Sequence, residues 1–189
     1  VLKGVSGEFR GGELTAILGQ SGSGKTSLIN CLSSFVTRNV TGSIQIESKV
    51  KNIKIKYIMQ EDTNYQNLTV REAMMFSIKF KTGSLDERRQ HEKIICILER
   101  LGIAQTMNHF IKSLSSGEQK RLSLALELID DPKIIFLDEC TTGLDSSSSK
   151  QCIKLLKNLA MEGRTVICTI HQPSASILKT FDHLYAMSD

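Results

Sequence analysis

Residues 19–26, Gly19-Gln20-Ser21-Gly22-Ser23-Gly24-Lys25-Thr26, fit the pattern GxxxxGK[ST]. No other stretch constrains the fold as strongly, because this pattern works in one local setting only: a strand end, a tight loop and a helix start. The setting is present. Leu14 to Leu18 is a short apolar run that ends at the loop, and Leu28, Cys31, Leu32 and Phe35 then follow the helical spacing i, i+3, i+4, i+7. Glycines in such a loop let backbone N–H groups curl around phosphate oxygens, and the helix N-terminus adds positive potential. The pattern makes Gly19, Gln20, Ser21, Gly22, Ser23, Gly24, Lys25, Thr26 and the adjoining Ser27 candidates for holding the phosphates of ATP. Lys25 would reach the β- and γ-phosphates, and the Thr26 hydroxyl would bind Mg²⁺.

The rest of the chain alternates apolar strands with amphipathic helices, which predicts an α/β architecture on a largely parallel sheet. Residues 43–59 read as two strands, the second holding Ile53, Ile55 and Tyr57 in alternation. From about Thr69 to Ile129 the pattern is helical throughout, with Thr69–Glu72 and Ser84–Glu87 each spaced as a capping box. This block reads as a helical subdomain of about 69–129 inserted into an α/β core of about 1–68 and 130–189. Strand character returns at Ile134 to Leu137 and at Thr165 to Ile170, nearly continuous apolar runs of the kind buried on both faces of a parallel sheet. Between them Ser146 to Ser149 opens a helix with Ile153, Leu156 and Ala160 on one face.

Composition narrows the function classes. Apolar residues at 40% and charged residues at 23% describe a globular chain rather than a disordered one. The net charge of +4 is too small to argue for nucleic acid, and Lys49, Lys51, Lys54 and Lys56 alternate with apolar residues as one solvated strand face would. Five cysteines, an odd number without CxxC spacing, argue against a disulfide or zinc framework and for a reducing, cytosolic compartment. Cys31, Cys96 and Cys168 fall in apolar stretches and are expected to be buried. No apolar run reaches the length of a membrane span. The sequence begins without Met and stops just after an apparent strand, so a soluble piece of a longer chain is expected.

Two further motifs carry chemistry. Ile134-Ile135-Phe136-Leu137-Asp138-Glu139 is an apolar strand ending in two acids, and the carboxyl end of such a strand faces the ligand crevice of an α/β sheet. Asp138 would hold Mg²⁺, and Glu139 would act as general base towards the attacking water. Ser115-Ser116-Gly117-Glu118 opens a helix whose apolar face is Leu122, Ala125, Leu126 and Ile129. Ser115 and Glu118 fit a capping box, and the same helix start could bind the γ-phosphate of an ATP held by another subunit; the spacing allows both readings. His171 and Gln60, each at a strand end, are unremarkable alone.

The order of these pieces resembles the ATP-binding cassette family along nearly the whole chain. It is most similar to the G subfamily, the white/scarlet-type half transporters, in Val1 to Phe9, Gly12 to Ile17, Tyr57-Ile58-Met59-Gln60-Glu61-Asp62, Leu68-Thr69-Val70-Arg71-Glu72 and Thr169-Ile170-His171-Gln172-Pro173-Ser174. The resemblance implies a P-loop NTPase fold: a RecA-like α/β core, an antiparallel β region and an inserted helical subdomain. It implies an ATPase that drives export of a lipid, sterol, pigment precursor or xenobiotic, with ATP and Mg²⁺ as cofactors. Gln60 becomes the residue that senses Mg²⁺ and water and couples to a transmembrane domain. Ser115, Ser116, Gly117 and Glu118 become the signature that completes a partner's site. Gly143, Leu144 and Asp145 become a loop across the dimer interface, and His171 the switch histidine on the γ-phosphate. The implied partners are a second cassette, identical or not, and a transmembrane domain in the full-length chain, which sets the cassette at the cytosolic face of a membrane. The pattern departs from the family at Ser116, usually glycine, and at Gln20 and Cys140, each commonly proline; the adenine-stacking aromatic is expected upstream of residue 1. The rival readings are a degenerate, regulatory cassette in a heterodimer, or a soluble ATPase of the same type.

Overall fold

The computed structural model describes residues 2–48, 52–59, 66–82 and 86–188. Five strands, β1 (Leu14–Gly19), β2 (Ile55–Ile58), β3 (Ile134–Leu137), β4 (Thr165–Ile170) and β5 (His183–Met187), form one sheet in the order β2-β3-β4-β1-β5. Every pairing is parallel. The sequence of each strand follows from its place. β1, β3 and β4 have neighbours on both sides and are apolar and buried almost throughout, whereas the edge strands β2 (IKYI) and β5 (HLYAM) admit polar residues and exposure.

Residues cluster into two units. The first comprises Val1–Gln60, Pro132–Thr142 and Ile153–Asp189, and the second Glu61–Asp131 and Gly143–Cys152. In the first unit, helix α1 (Lys25–Leu32) follows β1 and lays Ile29 against Ile17, Phe136 and Ile167, one residue from each of the three central strands. Ile29 is fully buried, so truncating it to alanine would cost about 2–5 kcal/mol. The sheet is therefore anchored to the helix that begins at the glycine loop. Helix α5 (Ser146–Met161) buries Ile153, Leu156, Leu159 and Ala160, the face expected from its spacing, and a short helix α6 (Ala175–Leu178) precedes β5.

The second unit is built on α2 (Val70–Thr82), α3 (Glu87–Arg100) and α4 (Ser116–Leu128), with short 3₁₀ turns at Ala104–Thr106 and Ile111–Ser113. Its fully buried residues include Met74, Ile78, Ile94, Leu98, Ile103 and Ile111. Glu72 Oε2 accepts from the Thr69 N–H at 2.7 Å, and Thr69 Oγ1 accepts from the Glu72 N–H at 3.3 Å, completing the predicted box before α2.

Several expectations are revised. Residues 43–48 carry no strand, and Ile44 and Ile46 stay exposed; among the described residues the isolated antiparallel bridge Thr69–Phe110 belongs to the second unit and not to the α/β core. Alternation marks a face, but a strand also needs a neighbour for its N–H and C=O groups, and only Ile55–Ile58 find one, in β3. The cap of α3 is Asp86, whose side chain accepts from the Arg89 N–H, while Ser84 lies outside the described residues. Helix α1 stops at Leu32, because Ser34 takes φ 59°, so Phe35 leaves the helix and meets the Tyr57 ring at 5.4 Å. Cys96 is exposed, since α3 buries Gln90, Ile94, Ile97 and Leu98 and a residue two beyond Ile94 points about 200° away.

Candidate functional site

Because all five strands are parallel, their carboxyl ends lie along one edge. The registers Leu18–Ile170 and Leu137–Cys168 then bring the residues after β1, β3 and β4 side by side. These are the glycine loop, the Asp138–Glu139 pair and His171. A cavity of about 190 Å³ is lined by Ser21, Gly22, Gly24, Lys25, Thr26, Ser27, Glu139 and His171. A neighbouring one of about 690 Å³ is lined by Gly19, Gln20, Ser21, Ser23, His171, Gln172, Met187 and Ser188.

The loop is shaped by two glycines. Gly24 caps α1 with φ 92°, a left-handed conformation that side chains other than glycine's resist. At Gly19 a Cβ would lie 2.4 Å from Ser23 Oγ and 2.7 Å from the Met187 carbonyl oxygen, so no side chain fits. Lys25 is buried, and its ammonium donates to the carbonyls of Gly19 at 2.9 Å and Gln20 at 2.7 Å. An ammonium has three donors, which leaves one for a ligand. Ser23 Oγ is buried beside Gly19 without a hydrogen-bond partner among the described residues. Thr26 is exposed at the first turn of α1.

Asp138 is buried and held on both oxygens. Oδ1 accepts from the Thr169 hydroxyl at 2.6 Å, and Oδ2 faces the Tyr57 hydroxyl at 3.4 Å. Burial, and then the charge of Asp138, pushes the Tyr57 phenol up to about 12. Glu139, half-buried, sits at φ 50°; its N–H donates to Thr169 Oγ1 at 2.7 Å, and its Oε2 accepts from the Thr142 hydroxyl at 2.9 Å. A left-handed backbone on a non-glycine residue costs on the order of 1–3 kcal/mol and turns the side chain out of the strand direction, here into the cavity wall. Among the described residues no group of three or more His, Cys, Asp or Glu could hold a metal ion. Any cation here would draw on hard oxygens such as the Thr26 hydroxyl and the Asp138 carboxylate, a donor set that suits Mg²⁺.

Ser115, Ser116, Gly117, Glu118 and Asp145 belong to the second unit. Ser115 caps α4 in a complete box: its hydroxyl accepts from the Glu118 N–H at 3.3 Å, and Glu118 Oε2 accepts from the Ser115 N–H at 2.9 Å and hydroxyl at 2.7 Å. These bonds, the hydroxyl first, hold the Glu118 carboxyl below its usual range. Ser116 Oγ donates to the Gly143 carbonyl at 3.2 Å, and Gly117 is buried with Ser148 against it. Asp145 accepts from the Ser148 hydroxyl at 2.6 Å and from the N–H groups of Ser148 and Ser147 at 3.0 and 2.8 Å; these bonds, the hydroxyl first, close the start of α5 and hold the Asp145 carboxyl below its usual range. Gln60 lies outside the described residues.

Tyr57, Thr142 and Thr169 escaped the sequence reading. Thr169 alone left a signal: it is a polar residue inside an apolar strand that is buried on both sides.

The family model described as ABC transporter matches residues 2–142. Among curated relatives, ABC transporter G family member 6 of Arabidopsis thaliana is 37% identical over 200 residues, covering all of this chain and 28% of the relative. ABC transporter G family member 5 of Oryza sativa subsp. japonica is also 37% identical, covering all of this chain and 25% of the relative. The chain thus spans only about a quarter of the length of the curated relatives it matches. Among solved structures, the dimeric structure of MJ0796, a bacterial ABC transporter cassette, superposes with a TM-score of 0.82 at 25% identity, covering 98% of this chain and 85% of that one. A dimeric post-hydrolysis state of the same ATP-binding cassette, bound to ADP and Pi, gives 0.81 at 25% identity, covering 99% and 86%.

Proposed function

The chain belongs to the ABC transporter family as one of its ATPase domains, and on that premise we propose that it hydrolyses ATP to drive export of a substrate across a membrane. The observation that carries the reading is the convergence of the glycine loop, Glu139 and His171 on one cavity at the carboxyl edge of the sheet.

In the proposed mechanism the loop N–H groups, the start of α1 and the one uncommitted donor of Lys25 bind the phosphates. Glu139 takes the proton of the attacking water, a contribution of about 10²–10⁴-fold for a well-placed base. His171, from the neighbouring strand end, contacts the γ-phosphate and orients that water. Thr26 and Asp138 would hold Mg²⁺, with Gln60 as a further ligand. When bound, the ion neutralises charge on the phosphate oxygens.

A second cassette, identical or not, completes each site. Ser115, Ser116, Gly117 and Glu118 at the start of α4 face the γ-phosphate of the ATP held by the partner, and Asp145 lies at the interface between the two. Support comes from the dimeric MJ0796 structures and from the division of these residues between two units of the chain. The curated relatives are far longer than this chain, which leaves room for a transmembrane domain. Among the described residues no helix is long and apolar enough to cross a membrane itself. The cassette then works at the cytosolic face, and the exported substrate is of the lipid, sterol, pigment-precursor or xenobiotic classes. Inside-out vesicles carrying the full-length protein test this. A labelled sterol or phospholipid should accumulate with ATP and not with ADP. ATP turnover without uptake of any of the four classes would contradict the transport reading.

A further inference from the structure

We infer that Thr169 is a positioning residue that aims both acids of the site through a single hydroxyl; the inference rests on the roles proposed for Asp138 and Glu139. β4 reads TVICTI, and five of its six residues are buried. Thr169 has no exposed surface at all. Valine would have the same shape there, and a buried hydroxyl is costly unless its hydrogen bonds are made. Both are made. The hydroxyl proton goes to Asp138 Oδ1 at 2.6 Å, and the oxygen accepts the Glu139 N–H at 2.7 Å.

The register explains why one side chain serves two residues. Leu137 pairs with Cys168, so Asp138 stands beside Thr169 just where the β3–β4 ladder ends. Glu139 turns out of the strand at φ 50°, and its N–H has left the ladder. The hydroxyl replaces the lost backbone acceptor and holds that turn. One proton settles the arrangement: because it is committed to Asp138, the lone pairs of the oxygen remain for Glu139. With Tyr57 opposite Oδ2, the Asp138 carboxylate is fixed from both sides. Without the hydroxyl, Asp138 keeps only the longer Tyr57 contact at 3.4 Å, and the strained Glu139 loses the acceptor that β4 gives its N–H.

The test uses the full-length protein. Thr169→Val should keep the ATP affinity measured in EDTA, raise the Mg²⁺ concentration needed for tight ATP binding, and lower kcat by about 10- to 150-fold, the worth of a hydrogen bond to a charged group. KM for Mg-ATP should move much less than kcat. Thr169→Ser and Thr169→Cys form a second pair, differing in one atom and losing the same methyl group. Serine should restore turnover to within a few-fold of wild type, and cysteine, a weak donor, should not. Equal turnover in the serine and cysteine variants, or a valine variant with unchanged kcat and Mg²⁺ requirement, would overturn the inference. Glu139→Gln run alongside separates the two levels. If it keeps wild-type turnover, the reading of the site itself fails. If it is inactive while Thr169→Val turns over at the wild-type rate, only the role of Thr169 fails.

Discussion

Lys25→Ala isolates the phosphate contact, and its size can be worked from the hydrogen bonds of one ammonium. Lys25 Nζ spends two of its three donors on the Gly19 and Gln20 carbonyls, at 2.9 and 2.7 Å. The third is the one a phosphate can use. A hydrogen bond to a charged group is worth about 1.5–3 kcal/mol, which corresponds to a rise of about 10- to 150-fold in Kd for ATP. Stability should change little by comparison. Gln20 is exposed and Gly19 only half-buried, so both freed carbonyls can turn to water. A net loss below about 1 kcal/mol would move Tm by no more than roughly 2–4 °C for a chain of this size. Titration with a fluorescent ATP analogue, paired with thermal unfolding of the same preparation, reads both quantities. Wild-type affinity in the variant would refute the phosphate role. A collapse of Tm by more than about 10 °C would make Lys25 a residue of the fold instead of the ligand site.

Three other outcomes follow from the second unit and from the division of the chain. Ser116→Gly gives up one exposed hydrogen bond to the Gly143 carbonyl and opens the start of α4, so full-length ATPase activity should be kept or raised; a large loss would make the serine a functional donor. The hydroxyl and N–H of Ser115 depress the Glu118 carboxyl, whose ordinary value is 4.5. The folded pKa lies below the unfolded one, so the cap's stabilisation is complete above about pH 4.5 and is lost as pH falls through the folded value. Acid unfolding curves should therefore show a shallower slope below pH 4.5 in Glu118→Gln, and identical slopes would contradict the cap's contribution. Finally, residues 1–189 alone should hydrolyse ATP weakly, with specific activity rising with protein concentration as a second copy completes each site. Activity that stays robust and flat across a wide dilution series would end the two-cassette account.

The parts legible in the sequence are those fixed by local chemistry or by burial on both faces. β3 and β4 have the bounds that their apolar runs predict, and Ile153, Leu156 and Ala160 are the face that α5 buries. The glycine loop is legible because its spacing has one structural use. The failures occur where a second element decides. Ile44 and Ile46 alternate like a strand, yet no described strand lies beside them. Phe35 keeps the helical spacing of Leu28 and Leu32, but Ser34 ends the helix first. Tyr57 and Thr169 become part of the site only because β2, β3 and β4 are neighbours, and sequence order gives no hint that residues 57, 138 and 169 meet.

We propose that Glu139, at the end of β3, is the base for ATP hydrolysis. Turnover of Glu139→Gln in the full-length protein, measured together with bound nucleotide, tests that role. The substitution keeps the shape of the side chain while removing its basicity. Turnover should fall by about 10²–10⁴-fold while ATP remains bound and the ATP-held dimer accumulates. Unchanged turnover in that variant would show that Glu139 is not the base.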